Sequence, residues 1–444
     1  MACSADKIVL APVGYLGLTG LRAEQTFYAG SLDKIGISVD GERIGEHKTA
    51  PESWMRRGPS KANQEMMNRL LDDLFDQFVT EISRARSLGR KQTLELIDGG
   101  PLTSVEAQEA NLVDELLYPD QYDSRKPPGV SAVVGLRDYI SEEYVRESWS
   151  RRPVIALVVA EGDIGDSSEN GGALTRGDVS PGSIRGAFKQ VKADGAVKGV
   201  TLRVNSPGGS ALASDLIYRE TILARKLGPL NVSMSGVAAS GGYYISSAAD
   251  RIFANPATFT GSIGIYALKP VLSGLYEKID LGKQSYHRGK NAGIFSLSRP
   301  FSGSERLRLK KGLDAFYQRF LEIASGGRGL SADSVDHLAG GRVWTGSEAT
   351  EHGLVDTLGG LWQSLVATAG DAGIEDFEVK IFPRKRTLFS FRTNPLLGPL
   401  GGLANLVLGA GEDILGEGAG ESLSILSQPR SGYYMRLPFD LTVE

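Results

Sequence analysis

The sequence predicts a duplicated α/β protein in which short buried strands alternate with helices around a mainly parallel sheet. Three observations carry that expectation. Residues 154–160, 200–204 and 232–234 are short apolar runs rich in valine. The stretches between them place apolar side chains at helical spacing. A long self-similarity then relates the start of the chain to its later part.

The three runs have the length and β-branched character of strands buried on both faces. Between the first two, Ile184, Phe188 and Val191 recur at helical spacing, and Leu212, Leu216 and Leu223 mark a second helix before the third run. Strand–helix alternation of this kind implies βαβ units and a parallel sheet. A longer helix is expected from Glu305 to about Ile323, with Leu309, Leu313, Phe316 and Phe320 on one face toward the core.

The repeat holds register over a long span. Ala5-Asp6-Lys7-Ile8 matches Ala249-Asp250-Arg251-Ile252, and the same shift of 244 relates Lys34-Ile35 to Lys278-Ile279 and Gly45 to Gly289. A shift of 242 then relates Leu71, Leu74, Phe75 and Phe78 to Leu313, Phe316, Tyr317 and Phe320. The same shift relates Thr103, Ala107 and Leu112-Val113-Asp114 to Thr345, Ala349 and Leu354-Val355-Asp356. Such a match indicates duplication. The opening of the second copy, 153–248, has no counterpart ahead of Ala5, so the first copy is expected to be truncated. The intact product is expected to extend upstream by about half a repeat, with an apolar anchor.

The resulting plan has a truncated first repeat (1–117), a linker and helix (118–152), a complete second repeat (153–370) and a C-terminal extension (371–444). Residues 118–131 are rich in Pro, Asp, Ser and Gly and read as the linker. Residues 161–183 read as a long surface loop or substrate lid. Residues 396–408 are apolar but broken by Pro399 and glycines, and read as a loosely packed tail.

With 444 residues, 41% hydrophobic and 23% charged, the composition is that of a soluble multidomain chain. A net charge of −4 gives no basic footprint for nucleic acid. The single cysteine, Cys3, excludes an internal disulfide and a cysteine-ligated zinc site. No apolar run reaches the eighteen residues of a bilayer-spanning helix, and the first twelve residues lack the pattern of a secretory signal.

Two glycine-rich turns carry the chemistry. Asn205-Ser206-Pro207-Gly208-Gly209-Ser210 lies between a strand and a helix, where backbone N–H groups can face a ligand; it also reads as a tight turn. Ala238-Ala239-Ser240-Gly241-Gly242 follows a strand and opens a helix. Small neighbours there allow a sharp turn with an exposed hydroxyl, as in hydrolase elbows, although Ser240 also suits a helix N-cap.

A nucleophilic serine needs a base. None of the four histidines, His47, His287, His337 and His352, forms a recognisable triad pattern with an aspartate. Lysine is the other candidate, provided that burial lowers its pKa. Gly45-Glu46-His47-Lys48 aligns with Gly289-Lys290-Asn291-Ala292, so a lysine three residues after the glycine is present in one copy alone. An exposed, solvated side chain is the commoner state of a lysine.

The Ser-Pro-Gly-Gly turn, Ala-Ala-Ser-Gly-Gly-Tyr-Tyr at 238–244, Gly-Ser-Ile-Gly at 261–264 and Val343-Trp344-Thr345-Gly346 through Gly353-Leu354-Val355-Asp356 resemble the signal peptide peptidase A (SppA) family. The duplication resembles its long form, over nearly all of residues 1–370. The resemblance implies two ClpP/crotonase-like repeats, the first incomplete, and a serine peptidase that works without histidine or any cofactor. It carries over Ser240 as nucleophile, Lys48 as general base and Gly208 and Gly209 as the oxyanion loop. It further implies peptide substrates such as cleaved signal peptides, homo-oligomers, and membrane association on the extracytoplasmic side, while the net charge already argues against a nucleic acid partner. Two other readings fit the same fold: an enoyl-CoA hydratase-like enzyme and an inactive oligomeric scaffold.

Overall fold

A computed structural model describes residues 2–118, 121, 152–165, 179–286, 288–383 and 434–435. The chain forms two compact units, one of residues 1–25, 64–152 and 440–444 and a larger one of residues 26–63 and 153–439. Residues 26–63, which belong to the first sequence repeat, therefore fold with the second.

The larger unit is built on an eight-stranded sheet. Its main path runs Val343–Trp344, Phe259–Gly261, Leu230–Ala239, Val197–Ser206, Val154–Glu161 and Glu378–Phe382. Every neighbour on that path is parallel except Val343–Trp344, which is antiparallel. Arg251–Ala254 pairs parallel with Leu230–Ala239 and with Thr357–Leu358. The expected α/β class is borne out, and the three valine-rich runs are central strands longer than their apolar cores. Glu378–Phe382 pairs in register with residues 154–158, so the sheet continues past the end of the sequence repeat.

The helix Pro181–Ala193 starts with a Ser180–Ser183 capping box and a proline in its first turn, and buries Ile184, Ala187, Phe188 and Val191. The helix marked by Leu212, Leu216 and Leu223 is present as Ala211–Ala224. Leu212, Leu216 and Leu223 are 64%, 39% and 37% exposed, whereas Ala213, Ser214, Ile217, Thr221 and Ala224 are buried. The sheet and the adjoining helix Gly241–Ser246 leave room on that face mainly for small side chains. The later long helix runs Gly303–Arg328 and buries Leu309, Leu313, Tyr317 and Phe320.

Residues 26–63 join this unit through the strand Ser38–Ile44, antiparallel to Ile265–Val271, with Ser38 opposite Val271 and Ile44 opposite Ile265. Arg306 on the long helix pairs with Asp40 at 2.6 Å and also with Glu42, tying this strand down from outside the sheet. Tyr434–Met435 forms a short strand paired antiparallel with Gly209–Ser210, and Tyr434 pairs with Tyr266.

The smaller unit has its own core of Leu18, Val79, Ile82, Ile97, Leu102, Ala107, Leu112 and Val113. Its elements repeat those of the larger unit position by position. Helix Lys61–Arg86, whose first three residues count with the larger unit, corresponds to Gly303–Arg328, and Ser104–Glu109 to Gly346–Glu351. Val9 pairs with Glu115 as Phe253 pairs with Thr357. The Asp114 carboxylate accepts the Ile8 N–H and an Arg86 ion pair, as Asp356 accepts the Ile252 N–H and an Arg328 ion pair. These are the shifts of 244 and 242 read from sequence, now expressed as shared strand register and shared hydrogen bonds.

The loop expected over 161–183 lies largely outside the described residues, as do most of the linker at 118–131 and the apolar stretch at 396–408. Among the described residues no helix is long and apolar enough to cross a membrane.

Candidate active site

The carboxyl ends of the parallel strands in the larger unit converge, as sites in open α/β sheets do. Val197–Ser206 leads into Pro207-Gly208-Gly209, Leu230–Ala239 into Ser240, and Phe259–Gly261 into Ser262.

Ser240 is fully buried and has φ 53° and ψ −114°, outside the regions that ordinary side chains favour. Such a backbone costs roughly 1–3 kcal/mol and persists only where its surroundings hold it. Here the Ser240 N–H donates to the Gly261 carbonyl at 2.8 Å, and the Ser240 carbonyl accepts from Tyr244 N–H at 2.8 Å. Ser240 stands at the N-cap position of the helix Gly241–Ser246, yet its side chain makes no capping hydrogen bond. Its Oγ faces Lys48 Nζ at 2.7 Å. The helix-cap reading of this serine is thereby set aside by geometry.

Lys48 is also fully buried. It follows the strand Ser38–Ile44 through the turn at Gly45, which has φ 101°. Besides Ser240, its Nζ contacts the Ser262 carbonyl at 2.9 Å and the Ser262 hydroxyl at 3.0 Å. Burial pushes the Lys48 ammonium well below the ordinary lysine pKa, because the charged form loses its hydration. No carboxylate ion-pairs with Lys48 among the described residues. A neutral amine has two N–H bonds and one lone pair. The Ser262 carbonyl can only accept, and the Ser262 hydroxyl can accept, so those two take the N–H bonds. The lone pair is then aimed at the Ser240 hydroxyl.

The turn that carries Lys48 is clamped from two sides. Residues 339–342 form one jaw: His47 N–H donates to Gly340 carbonyl at 2.8 Å, and Ser262 N–H donates to Arg342 carbonyl at 2.7 Å. A Cβ on Gly341, whose φ is +82°, would sit 2.4 Å from Lys48 N, so the two backbones pass as closely as glycine permits. Arg43 forms the other, donating to the Lys48 carbonyl at 3.1 Å and to Glu52 Oε1 at 2.8 Å.

The glycine loop borders the nucleophile. Gly208 Cα lies 3.1 Å from the place a Cβ on Gly241 would occupy. Gly208 N–H donates to Ser206 Oγ at 3.2 Å, and Gly208 carbonyl accepts from Ile164 N–H at 2.7 Å. Gly209 has φ 148°, and a Cβ there would clash with Ile164 carbonyl at 2.1 Å.

The structure thus brings Ser240, Lys48, Gly208 and Gly209 to one place. Sequence reasoning did not single out Ser262, Arg43 or Glu52. Ser262 lay inside a quoted motif, and its φ of 51° beside a glycine is the backbone signature that marks it. Among the other histidines, His352 packs against Trp344 at 4.4 Å between ring centres. Lys290, the nearest lysine to the equivalent turn of the second copy, is exposed, as is Ala292.

Residues 1–126 and 223–374 match peptidase family S49. The chain belongs to that family. This S49 chain is 32% identical to the serine protease SPPA, chloroplastic, of Arabidopsis thaliana over 94% of its own length and 61% of the relative's. It is 34% identical to a putative signal peptide peptidase SppA of Enterococcus faecium over 52% of its length and 67% of that protein's. It spans about two thirds or less of the first curated relatives it matches. Among solved structures, a mutant ClpP1 from Listeria monocytogenes resembles 47% of the chain and 94% of itself, at 16% identity and a TM-score of 0.30.

Proposed function

We propose that this chain is a serine peptidase that hydrolyses peptide bonds with Ser240 as nucleophile and Lys48 as general base. The observation that carries the reading is the 2.7 Å approach of Lys48 Nζ to Ser240 Oγ, both groups fully buried.

In the reaction, neutral Lys48 takes the Ser240 proton as Oγ attacks the scissile carbonyl carbon. The ammonium so formed keeps its bonds to Ser262 and then protonates the leaving amine. Water, deprotonated by Lys48, attacks the acyl-enzyme and frees Ser240. The oxyanion needs donors close to Ser240. Gly208 and Gly209 are assigned to supply that wall.

Peptides are expected to bind as extended chains. The antiparallel pairing of Tyr434–Met435 with Gly209–Ser210 indicates that a strand can be added beside the glycine loop, a common mode of peptide capture. Signal peptides left after cleavage are the substrate class that the Enterococcus relative's name suggests. Homo-oligomeric assembly and attachment to a membrane, on its extracytoplasmic side, complete the proposal.

The test is labelling by a fluorophosphonate with the modified residue located by peptide mapping. Labelling at Ser240 that disappears in Lys48→Ala supports the dyad. Labelling that survives in Lys48→Ala, or that falls on another serine, overturns it. A hydratase-like enzyme or an inactive scaffold has no need of a buried lysine on a serine.

A further inference from the structure

We infer that Arg43 and Glu52 form a charge-balanced pair that both positions Lys48 and sets the pH at which it becomes a base. The inference rests on the Ser240–Lys48 reading and deepens it.

Glu52 is 2% exposed, an uncommon place for a carboxylate. It lies four residues after Lys48, at the start of the short helix Glu52–Met55. Its Oε1 accepts from Arg43 at 2.8 Å, and its Oε2 accepts from Ser60 N–H at 2.8 Å and from Asn63 Nδ2 at 3.5 Å. Burial pushes the carboxyl up, but the Ser60 hydrogen bonds and the Arg43 guanidinium outweigh it and hold the group below the ordinary glutamate value. Glu52 is therefore an anion wherever the enzyme works.

The same Arg43 nitrogen that meets Glu52 also donates to the Lys48 carbonyl. A cation and an anion thus stand together at the backbone of the base. Were either alone, its charge would act on the Lys48 ammonium, weakened by solvent on the side where Arg43 is partly exposed. Together they oppose one another, and burial is the cause that lowers the lysine. The pair also fixes the direction of the Lys48 carbonyl, and hence of the turn from which the side chain reaches Ser240.

Other charged or titratable groups border this turn. Arg342 lies 2.8 Å from His47 Nε2 on the opposite side of the turn. Tyr266 stands opposite Arg43 in the strand pairing. The Ser240 and Ser262 turns contribute hydroxyls. None of these is altered by the substitutions below.

The two charges act on the lysine with opposite signs. Glu52→Gln keeps the shape but leaves the arginine cation unbalanced, which disfavours lysine ammonium and moves the rise of activity to lower pH. Arg43→Gln leaves the carboxylate unbalanced and moves the rise to higher pH. Arg43→Lys keeps the charge and holds the rise near its wild-type position, with a lower plateau because one cation cannot reproduce the fork. Shifts of about half a unit or more are expected.

The experiment measures the rate of fluorophosphonate labelling of Ser240 against pH for the full chain and the three variants, each normalised to its own plateau. Opposite shifts in Glu52→Gln and Arg43→Gln, with Arg43→Lys restoring the wild-type midpoint, support the pair. A rise that stays at one pH in the wild type and all three variants overturns it and leaves the dyad intact. A wild-type protein with no pH-dependent rise overturns the dyad first, and the pair with it.

Discussion

The Nζ of Lys48 lies 2.9 Å from the carbonyl oxygen of Ser262, an acceptor with no proton of its own to give. That contact decides the orientation of the amine. With one N–H spent on the carbonyl and a second on the Ser262 hydroxyl, the nitrogen has only its lone pair to offer Ser240 once it is neutral. Burial supplies the neutrality and Ser262 supplies the direction.

The dyad is tested by substitution. Ser240→Ala should lower turnover by about 10⁴ or more, and Lys48→Ala nearly as far, because an unassisted hydroxyl is a poor nucleophile. The double variant should be no worse than either single one, as expected of groups that act as a unit. Lys290→Ala is the control, exposed and on the corresponding turn of the second copy, and should retain wild-type rates. Steady-state kinetics on a fluorogenic peptide decide the matter; a dead Lys290→Ala beside a living Lys48→Ala would reverse the assignment.

Ser262→Ala separates direction from burial. The carbonyl contact survives and the hydroxyl contact is lost, so the amine regains a second orientation. A fall in kcat of about ten- to a hundredfold is expected, the worth of one hydrogen bond to a catalytic amine. KM should change little, since no substrate contact is assigned to this hydroxyl. An unchanged kcat would show that the carbonyl alone orients Lys48.

The depressed lysine also predicts how activity and stability vary with pH. Activity should rise with pH through the folded-state value of Lys48, which lies below the ordinary value of about 10.4. Between those two values the unfolded chain holds one more proton at this site than the folded chain. Stability therefore increases as pH rises through that window and is lower below it. Lys48→Met has no such dependence. In urea titrations the wild type should gain on Lys48→Met as pH rises toward 10, by at most about 1.4 kcal/mol per pH unit. A difference independent of pH from 6 to 10 would count against a neutral buried lysine.

Much of this site was legible in sequence because the duplication acted as an internal control. Matching Gly45 to Gly289 exposed a lysine kept in one copy and lost in the other, and small residues around Ser240 marked a sharp turn. The leucines at 212, 216 and 223 marked a helix but not its buried face. Leucine spacing gives a helix, but which face is buried depends on how closely its neighbours approach, and here mostly small residues fit beneath it. The partition of the chain was equally hidden. Residues 26–63 sit with the second repeat because Ser38–Ile44 pairs with Ile265–Val271, with Asp40 and Glu42 also meeting Arg306, and local pattern says nothing of such long-range pairing. Ser262 and the Arg43–Glu52 pair escaped for the same reason, since their meaning lies in what they touch.

Two glycines of the repeat extend that internal control. Gly45 and Gly289 occupy equivalent positions in the sequence repeat and share a positive φ, +101° and +94°. Alanine at either position carries the same backbone strain, about 1 kcal/mol or somewhat more. Their surroundings differ. A Cβ on Gly45 would lie 2.4 Å from the Gly340 carbonyl carbon and oxygen, whereas on Gly289 its nearest neighbour is the Ala292 Cβ at 3.9 Å. Gly289→Ala should therefore cost only the strain and leave kcat near wild type. Gly45→Ala must push the Lys48 turn away from residues 340–341, and a displacement of about 1 Å at a reacting group can cost a hundredfold in rate. Thermal unfolding and peptide hydrolysis of the two variants, measured side by side, separate strain from misplacement. Equal kcat losses in both would mean that the contact with Gly340 does not hold the base in place.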